Sequence, residues 1–568
     1  MGLTELISVA RGDTPADLVL KNARVVNTFV GDVEDGDVAI YEGRVAGIGD
    51  YHRAEEVIDL KGSYLAPGLI DGHTHIESSM LHPAQYARAV VPRGTLALVT
   101  DLHEIANVAG FEGMRFVIDW ASKLPLDMFF MVPSCVPATH LETSGAEISA
   151  QDIAKVLRWR NVIGLGEMMN FPGVVSGDEM VVDKILAARG KVVDGHAPGL
   201  SGKQLNAYIA AGIHSDHEST AFEEGRQKLE RGMYLMIREG SSEKNLDALL
   251  PLVNDETYKR CFFVVDDRSC SDILREGDID AVVRKAIRKG LKPVRAIQLA
   301  TINTAEYFRL YDRGGIAPGY VADLITLTDL SRLEIDMVFY RGRLVARGGS
   351  PMFALPEAST SGMTDTIKIK PFDIGALRLS TVGETFPVIE IIPGQIVTRK
   401  VMEVVNKKAG AIVPDIERDI LKLVVVERHR ASGNIGLGLV KGFGLRRGAL
   451  ASSVAHDSHN VIVVGVDDSD ILMAIREVEK LRGGLVVCSQ GEVLAALPLP
   501  VAGLLSPEPL ETVVDGFEKL EKAAASLGNV PPSPFALLSF LALPVIPELR
   551  LSDRGVVDVL KFALIDDH

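Results

Sequence analysis

The middle of the chain, residues 67–312, alternates short apolar runs with longer segments that mix apolar and charged residues. Segments between the runs, such as SAQDIAKVLRWRN, can form amphipathic helices. The eight apolar runs are LAPGLIDGHTH (65–75), TLALVTDLHE (95–104), DMFFMVPSCV (127–136), VIGLGEMMN (162–170), KVVDGHA (191–197), AGIHSDHE (211–218), YLMIREGS (234–241) and FFVVDDRS (262–269). Buried parallel strands are continuous apolar runs, and eight strand–helix repeats over about 250 residues are typical of a (β/α)8 barrel.

The sequences on either side of this region have a different pattern. Residues 18–66 are predicted to form short strands of alternating apolar and polar residues, separated by Gly, Asp and Asn. Residues 315–349 have a similar pattern. We therefore expect one small, discontinuous β-sandwich domain, built from 1–66 plus 313–352. Residues 370–568 mix strand-like and helical segments and are predicted to form a C-terminal α/β domain. The fold class is α/β, with a TIM-like barrel at 67–312.

Composition excludes several kinds of function. The 568 residues carry a net charge of −16 with a sequence pI of about 5.4, whereas nucleic acids and acidic membranes require a basic surface. The sequence contains no secretory signal and no apolar stretch of about 18 residues. Its four cysteines have no C-x-x-C spacing, which favours a reducing compartment. We expect a cytoplasmic protein that binds a small molecule, and a homo-oligomer of two or more chains.

Ionisable residues follow several of the apolar runs, which is where a barrel carries its chemistry. Asp71-Gly-His73-Thr-His75 places two imidazoles two residues apart, so both side chains lie on the same face of a strand. The corresponding residues of later runs are Glu167, His196, His217 and Asp266. Imidazole and carboxylate ligands suit zinc, manganese or iron. The sequence therefore predicts a metal site at the carboxyl ends of the strands.

Two of these positions have neighbours that compete for the same role. His214 competes with His217, which we prefer because it lies further past the strand. Asp267 competes with Asp266, which directly follows the apolar run and is still fixed by strand geometry. Each residue also has an ordinary structural explanation, such as a helix cap or an ion pair with Arg268.

Several ordered motifs resemble those of a known family. APGLIDGHTHIESSM is similar to the first-strand signature of the amidohydrolase superfamily, and its ESS extension is similar to the adenine deaminase family in particular. The segments TDLHEIANVAG, GLGEMMNFPGV, VDGHAPGL, GIHSDHES and VVDDRS resemble the later strand ends of that family in the same order, and AHDSHNVIVVG (455–465) resembles its C-terminal domain. The resemblance covers essentially the whole chain.

The resemblance implies hydrolysis of adenine to hypoxanthine and ammonia by a hydroxide that a binuclear divalent metal centre activates. Manganese or iron is expected, and zinc also suits the ligands. His73 and His75 would bind one ion, Glu167 would bridge both, and His196 and His217 would bind the second. Asp266 would contact the activated water and shuttle its proton.

Other residues are expected around the purine. Protonation of a ring nitrogen needs a second acid, for which Glu77, His103 and Glu104 are candidates, and Arg238 is a possible orienting group. His459, in the unusual sequence His-Asp-Ser-His-Asn, is expected to reach the barrel mouth and help to bind the substrate. A polar turn is the alternative explanation of this sequence.

Three other functions remain open at this point. The chain could act on a related purine, or open a cyclic amide as dihydroorotase-like relatives do. Those relatives use a carbamylated lysine as the bridge, and no lysine ends the fourth run, GEMMN. A barrel kept only as a scaffold is the third alternative, although such a protein would not be expected to retain every ligand type.

Overall fold

The computed structural model describes residues 2–565. Residues 1 and 566–568, which fall within the predicted first and last domains, lie outside the described residues. The chain begins with a helix and five strands of a β-rich unit. These are α1 (Leu3–Ala10), β1 (Ala16–Asn27), β2 (Asp32–Tyr41), β3 (Arg44–Gly49), β4 (Ala54–Asp59) and β5 (Tyr64–Pro67).

Eight short parallel strands follow, one for each predicted apolar run. They are β6 (Leu69–Thr74), β7 (Thr95–Asp101), β8 (Asp127–Val132), β9 (Val162–Met168), β10 (Val192–Gly195), β11 (Ser215–Asp216), β12 (Tyr234–Arg238) and β13 (Cys261–Val264). β7 and β8 are buried along their entire length, as expected of strands covered on both faces. The prediction of a barrel is confirmed.

Helices connect these strands and surround them. They are α2 (Pro83–Val90), α3 (His103–Ala121), α4 (Ala150–Val156), α5 (Phe171–Ser176), α6 (Glu179–Ala187), α7 (Gly202–Ala210), α8 (Phe222–Glu230), α9 (Leu246–Leu249), α10 (Cys270–Arg275), α11 (Ile279–Arg288), α12 (Pro293–Leu299) and α13 (Ile302–Tyr307). Short 3-10 turns occur at Ile76–Ser79, Val91–Arg93, Leu250–Leu252 and Tyr258–Arg260.

The barrel is hydrogen-bonded as two groups of strands, which meet at two seams. β10-β9-β8-β7-β6 form one group and β11-β12-β13 the other. At the first seam, the backbone N–H of Asp266 donates to the carbonyl of His73 at 2.9 Å, and that of His75 donates to the carbonyl of Asp266 at 3.2 Å. At the second, the Gly195 N–H donates to the hydroxyl of Ser215 at 3.1 Å. The first seam brings the ends of β6 and β13 together.

The chain then returns to the first β-rich unit. The returning strands are β14 (Leu324–Asp329), β15 (Glu334–Tyr340), β16 (Arg343–Arg347) and β17 (Ser350–Pro351). They join the first five in one nine-stranded sheet through the antiparallel pairing of β14 with β5. The sheet bends over a shared apolar core. The bend brings together the Ala322 N–H and the carbonyl of Gly43, which form a hydrogen bond of 2.9 Å. The sandwich is thus made from a single curled sheet.

The remaining residues form a strand-rich unit that also contains three α-helices. The strands are β18 (Thr385–Ile391), β19 (Thr398–Val404), β20 (Lys407–Lys408), β21 (Ala411–Ile412), β22 (Ile420–Val426), β23 (Ile435–Lys441), β24 (Ala449–Ser452), β25 (Val461–Gly465), β26 (Gly484–Ser489), β27 (Glu492–Pro498), β28 (Leu549–Ser552), β29 (Gly555–Asp558) and β30 (Ala563–Leu564). The helices are α14 (Asp468–Lys480), α15 (Leu510–Ala525), α16 (Pro534–Phe540) and a 3-10 turn at Ile374–Leu377.

Strands and helices mix in this unit as predicted, but its main sheet is largely antiparallel. The order is β19-β18-β23-β22-β25-β24-β26-β27, and of these pairs only β18 with β23 is parallel. The unit packs against the barrel mouth: the Ser506 N–H donates to the carbonyl of Met80, and the Thr143 N–H donates to the carboxylate of Asp553.

Candidate metal centre and substrate pocket

Six side chains at the carboxyl ends of the barrel strands lie together, and we call them the ligand cluster: His73, His75, Glu167, His196, His217 and Asp266. The Nε2 atoms of His73 and His75 lie 3.3 and 3.2 Å from the same oxygen, Oδ1 of Asp266. The two imidazoles share it because residues two apart in β6 point to the same face. The structure therefore brings these three predicted residues together, although Asp266 lies almost 200 positions after the two histidines.

Glu167, at the end of β9, faces two groups of imidazoles at once. Its Oε1 lies 3.2 Å from Nε2 of His75, and its Oε2 lies 2.7 Å from Nδ1 of His196 and 3.3 Å from Nε2 of His217. Its backbone N–H donates to the Asp101 carboxylate at 2.9 Å, which fixes the position of the strand end. One carboxylate thus has an oxygen directed at each half of the cluster.

The ligand cluster has the chemistry of a divalent-metal site. Both ring nitrogens of the fully buried His73 have no hydrogen-bond partner among the described residues. Burial and the nearby His217 lower the pKa of His73, so its ring is neutral and able to ligate. Donor atoms of His73, His75 and Asp266, and separately of His73, Glu167 and His217, lie within 4.8 Å of one another. These residues fit a cation, because buried polar atoms normally have partners.

Neither competing residue belongs to the ligand cluster, although Asp267 lines the cleft that opens above it. His214 is exposed, and its carbonyl accepts a hydrogen bond from the Tyr234 N–H, at the opposite end of β12 from the ligand cluster. Asp267 accepts a hydrogen bond from the Ser78 hydroxyl. Asp266 has a left-handed φ of 58°, which non-glycine residues rarely adopt and which is concentrated at functional sites.

The three candidates for proton transfer line one side of the cluster and are all buried. His103 lies with Nδ1 3.6 Å from Glu167 Oε1 and with Nε2 3.3 Å from Glu104 Oε1. Glu77 accepts a hydrogen bond from the Ile105 N–H through Oε1, and its Oε2 has no partner among the described residues. Burial, assisted by the charge of Glu104, raises the pKa of Glu77 to about 7.

Both residues predicted to contact the substrate hold carboxylates in the structure. Arg238 donates to Asp266 Oδ2 at 2.7 Å and also pairs with Glu218. His459 pairs through Nε2 with Glu104, and its Nδ1 accepts the Ala455 N–H at 3.1 Å. Both ring nitrogens of His459 thus have partners within the protein, and its contact with the substrate stays a prediction.

Sequence reasoning missed Glu218 and His456. Glu218 Oε1 lies 3.4 Å from His217 Nε2 and 3.7 Å from His196 Nδ1. Burial alone would raise the pKa of Glu218, but Arg238 and His196 outweigh it and lower the pKa. Its position directly after His217 in GIHSDHES is the signal that could have found it. His456 belongs to the unusual 455–460 sequence, but nothing in the sequence indicated that it pairs with Glu104.

A cleft of about 330 Å³ opens above the ligand cluster. The barrel contributes polar residues to its lining, and the C-terminal unit contributes apolar ones, including Val397, Phe540 and Ile546. The cleft can therefore enclose a small molecule between these apolar residues and the ligand cluster. Within residues 2–565, none of the helices has the length and apolar character needed to cross a membrane.

Known proteins resemble the chain along its whole length. Residues 64–345 match the model of the amidohydrolase family, and residues 395–563 match that of the adenine deaminase C-terminal domain. The chain is 61% identical to an adenine deaminase of Dehalococcoides mccartyi over 563 residues, 99% of each chain. It is 48% identical to adenine deaminase 2 of Carboxydothermus hydrogenoformans, again over 99% of each. An adenine deaminase of Halalkalibacterium halodurans is 44% identical, covering 100% of this chain and 98% of its own. The chain belongs to the adenine deaminase family of amidohydrolases.

Proposed function

We propose that the protein hydrolyses adenine to hypoxanthine and ammonia. Relatives that carry the name adenine deaminase, at up to 61% identity over 99% of both chains, support this reaction. The observation that carries it is Glu167, whose two oxygens face separate groups of imidazoles beneath an enclosed cleft. A cyclic amide as substrate is disfavoured, because a glutamate occupies the place where a bridging carbamylated lysine would be required.

The ligand cluster would hold a binuclear divalent centre, with manganese or iron preferred and zinc possible. His73, His75 and Asp266 would serve one ion and His196 and His217 the other, with Glu167 shared between them. Such a centre, when bound, supplies Lewis acidity that lowers the pKa of water and provides a nucleophile near neutral pH.

Asp266 is the proposed proton shuttle. Arg238 holds its Oδ2 at 2.7 Å, which leaves Oδ1 directed at the ligand cluster. From that position Asp266 can accept a proton from the attacking water and deliver it to the exocyclic amine, which leaves C6 as ammonia. One water is consumed for each ammonia released, and the oxygen remains on C6 of hypoxanthine.

The purine ring also needs a proton when water adds to C6, because C6 then loses its aromatic bonding. His103 and Glu77 are the proposed donors, since both are buried; His103 lines the cleft, and Glu77 lines a neighbouring cavity two residues after His75. Glu104, the third candidate, is proposed instead to accept a hydrogen bond from the purine. Burial would raise its pKa, but His456, His459 and His103 outweigh burial and hold the pKa well below its usual range.

The predicted domain boundaries, 1–66 with 313–352, 67–312 and 370–568, are kept as the proposed division of the chain. The pairing of β14 with β5 supports the discontinuous first domain. A cytoplasmic location is also proposed, and it is supported by the four buried cysteines, all of which are free thiols.

The test is a steady-state measurement of ammonia release from adenine by chelated and by Mn²⁺- or Fe²⁺-reconstituted protein. We expect the chelated protein to lose nearly all activity and the reconstituted protein to regain it, with about two metal ions bound per chain. Dihydroorotate and hydantoin, assayed in parallel, should remain unopened. Equal turnover by chelated and reconstituted protein would refute the role of the metal.

A further inference from the structure

The Glu104 carboxylate is held by two histidines from the other end of the chain. It is the second residue of α3 in the barrel and is 2% exposed. Its Oε1 lies 2.7 Å from Nδ1 of His456, 352 positions further along, and its Oε2 pairs with Nε2 of His459. This contact joins the C-terminal unit directly to a residue beside the ligand cluster.

The hydrogen bonds of His459 determine which of its nitrogens carries the proton. Nδ1 accepts the backbone N–H of Ala455 at 3.1 Å, so the proton of the neutral ring must be on Nε2, which donates to Glu104. Burial lowers the pKa of His459 to about 4, so the ring stays neutral. The guanidinium of Arg428, itself fully buried, binds the carbonyl of His459 and fixes the loop.

His456 occupies the wall between two cavities. It lines the cleft above the ligand cluster and also a neighbouring cavity of about 130 Å³. Its ring stacks on Phe540, with centroids 4.8 Å apart and planes 21° apart, and its backbone N–H donates to the Ser539 hydroxyl at 3.0 Å. Burial opposes protonation, but Glu104 outweighs it and raises the pKa of His456 to about 9. The protonated ring is therefore a second donor to Glu104.

Glu104 consequently has the properties of an ionised, acceptor-only group. It lines both cavities, and its two oxygens are oriented by fixed donors, while His103 Nε2 lies 3.3 Å from Oε1. A carboxylate oxygen has more than one acceptor site, so Glu104 can take another hydrogen bond from a molecule in the cleft. Adenine always carries one N–H on its five-membered ring, at N9 or N7.

We propose that the C-terminal domain completes the active site through His456 and His459, positioning residues that hold the Glu104 carboxylate as acceptor for the ring N–H of the purine. The inference rests on the proposed function and adds a specificity determinant to it. A purine that lacks this N–H cannot make this additional hydrogen bond to Glu104, and sites built on such a hydrogen bond reject analogues strongly.

A double-mutant cycle on kcat/KM for adenine tests the proposal. Glu104→Gln should lower kcat/KM by about 100-fold, and His456→Ala by about 10- to 100-fold. If His456 acts only through Glu104, the variant that combines Glu104→Gln with His456→Ala should have a kcat/KM no more than about threefold below that of Glu104→Gln alone. His459→Ala should behave in the same way. Penalties that multiply in the double variants would overturn the proposal.

Three further measurements separate positioning from a general structural role. Added imidazole should restore part of the activity of His456→Ala, since the residue borders two cavities, and should not affect Glu104→Gln. 9-Methyladenine, which has no ring N–H, should be a poor substrate for the wild type. Replacing Glu104 should lower kcat/KM for 9-methyladenine less than it lowers kcat/KM for adenine. Bound metal should stay unchanged in every variant. If His456→Ala does not fold, His456→Gln, which keeps an N–H donor, takes its place in the cycle and should retain most activity.

The matched control is His214→Asn, an exposed histidine outside the cluster, which should leave kcat and KM unchanged. The wild-type assay separates the two proposals. Wild-type protein that releases ammonia from adenine, with multiplying penalties in the double variants, would overturn the positioning role alone. Wild-type protein inactive on adenine when loaded with metal would overturn the proposed function, and the positioning role with it.

Discussion

Two buried polar clusters lie side by side at the carboxyl end of the barrel, and only one of them is complete. The lysine cluster consists of Lys228, Asp216, Ser219 and Glu224. The Nζ of Lys228 donates to Asp216 and to the Ala197 carbonyl at 2.8 Å each, to Glu224 at 2.9 Å and to Ser219 at 3.0 Å. In the ligand cluster, by contrast, His73 has two ring nitrogens without a partner among the described residues.

The lysine cluster and the ligand cluster therefore differ in their chemistry although their central residues are equally buried. Lys228 and Asp216 are both 0% exposed, as is His73, so the difference does not arise from access to water. The lysine carries the cation of its own cluster, whereas the ligand cluster gathers carboxylates and imidazoles and, in the proposed function, takes its cations from solution. The complete cluster also supports the incomplete one, because the Ala197 N–H, next to His196, donates to Asp216 Oδ1 at 2.9 Å.

The largest expected effect follows from altering the residue shared by both halves of the ligand cluster. Glu167→Gln keeps the shape of the side chain but removes its charge, and should lower kcat on adenine by at least about 10³-fold. Metal analysis of the purified variant should show fewer bound ions than in the wild type. Glu224→Gln, the same substitution in the lysine cluster, is the control and should retain kcat within about threefold. Comparable losses in both variants would contradict the distinction between the clusters.

The incomplete cluster could be predicted from the sequence because its members share a local rule. Each ligand lies at the end of a strand, and parallel strands of a barrel place those ends together. The choice of His217 over His214 followed from distance past the apolar run, although β11 itself is only two residues long. Glu218 was not singled out, although its position directly after His217 was a signal that could have found it.

The contacts between distant segments could not be predicted in this way. The pairing of Glu104 with His456 and His459 depends on how the C-terminal unit packs on the barrel, and no local periodicity encodes that arrangement. The sequence His-Asp-Ser-His-Asn was recognisable as unusual, but its partner was not. The largely antiparallel C-terminal sheet was also hidden, because a buried apolar strand such as β22 has the same pattern in either orientation.

A second prediction concerns stability. Lys228→Met retains most of the side-chain volume and removes the charge, which leaves the ionised, buried Asp216 with backbone and hydroxyl donors but without a positively charged partner. Loss of one partner of a buried pair should lower the free energy of unfolding by about 3–5 kcal/mol, measured as a shift of the urea unfolding transition of metal-loaded protein. Adding Asp216→Asn should recover part of the loss. A single variant as stable as the wild type would show that the lysine cluster does not hold this region together.

The smallest effect is expected two residues away on the same helix, α8. Arg226 pairs with Glu223 and Glu230, but its side chain is 45% exposed and theirs are 59% and 51% exposed. Water screens such pairs and the long side chains lose freedom in forming them, so Arg226→Ala should move the thermal unfolding midpoint by less than about 1 °C. Its kcat on adenine should equal that of the wild type. Because Lys228 and Arg226 share a helix and each contacts two carboxylates, a large shift in Arg226→Ala would mean that the helix itself, and not burial of the charge, determines the stability of this region.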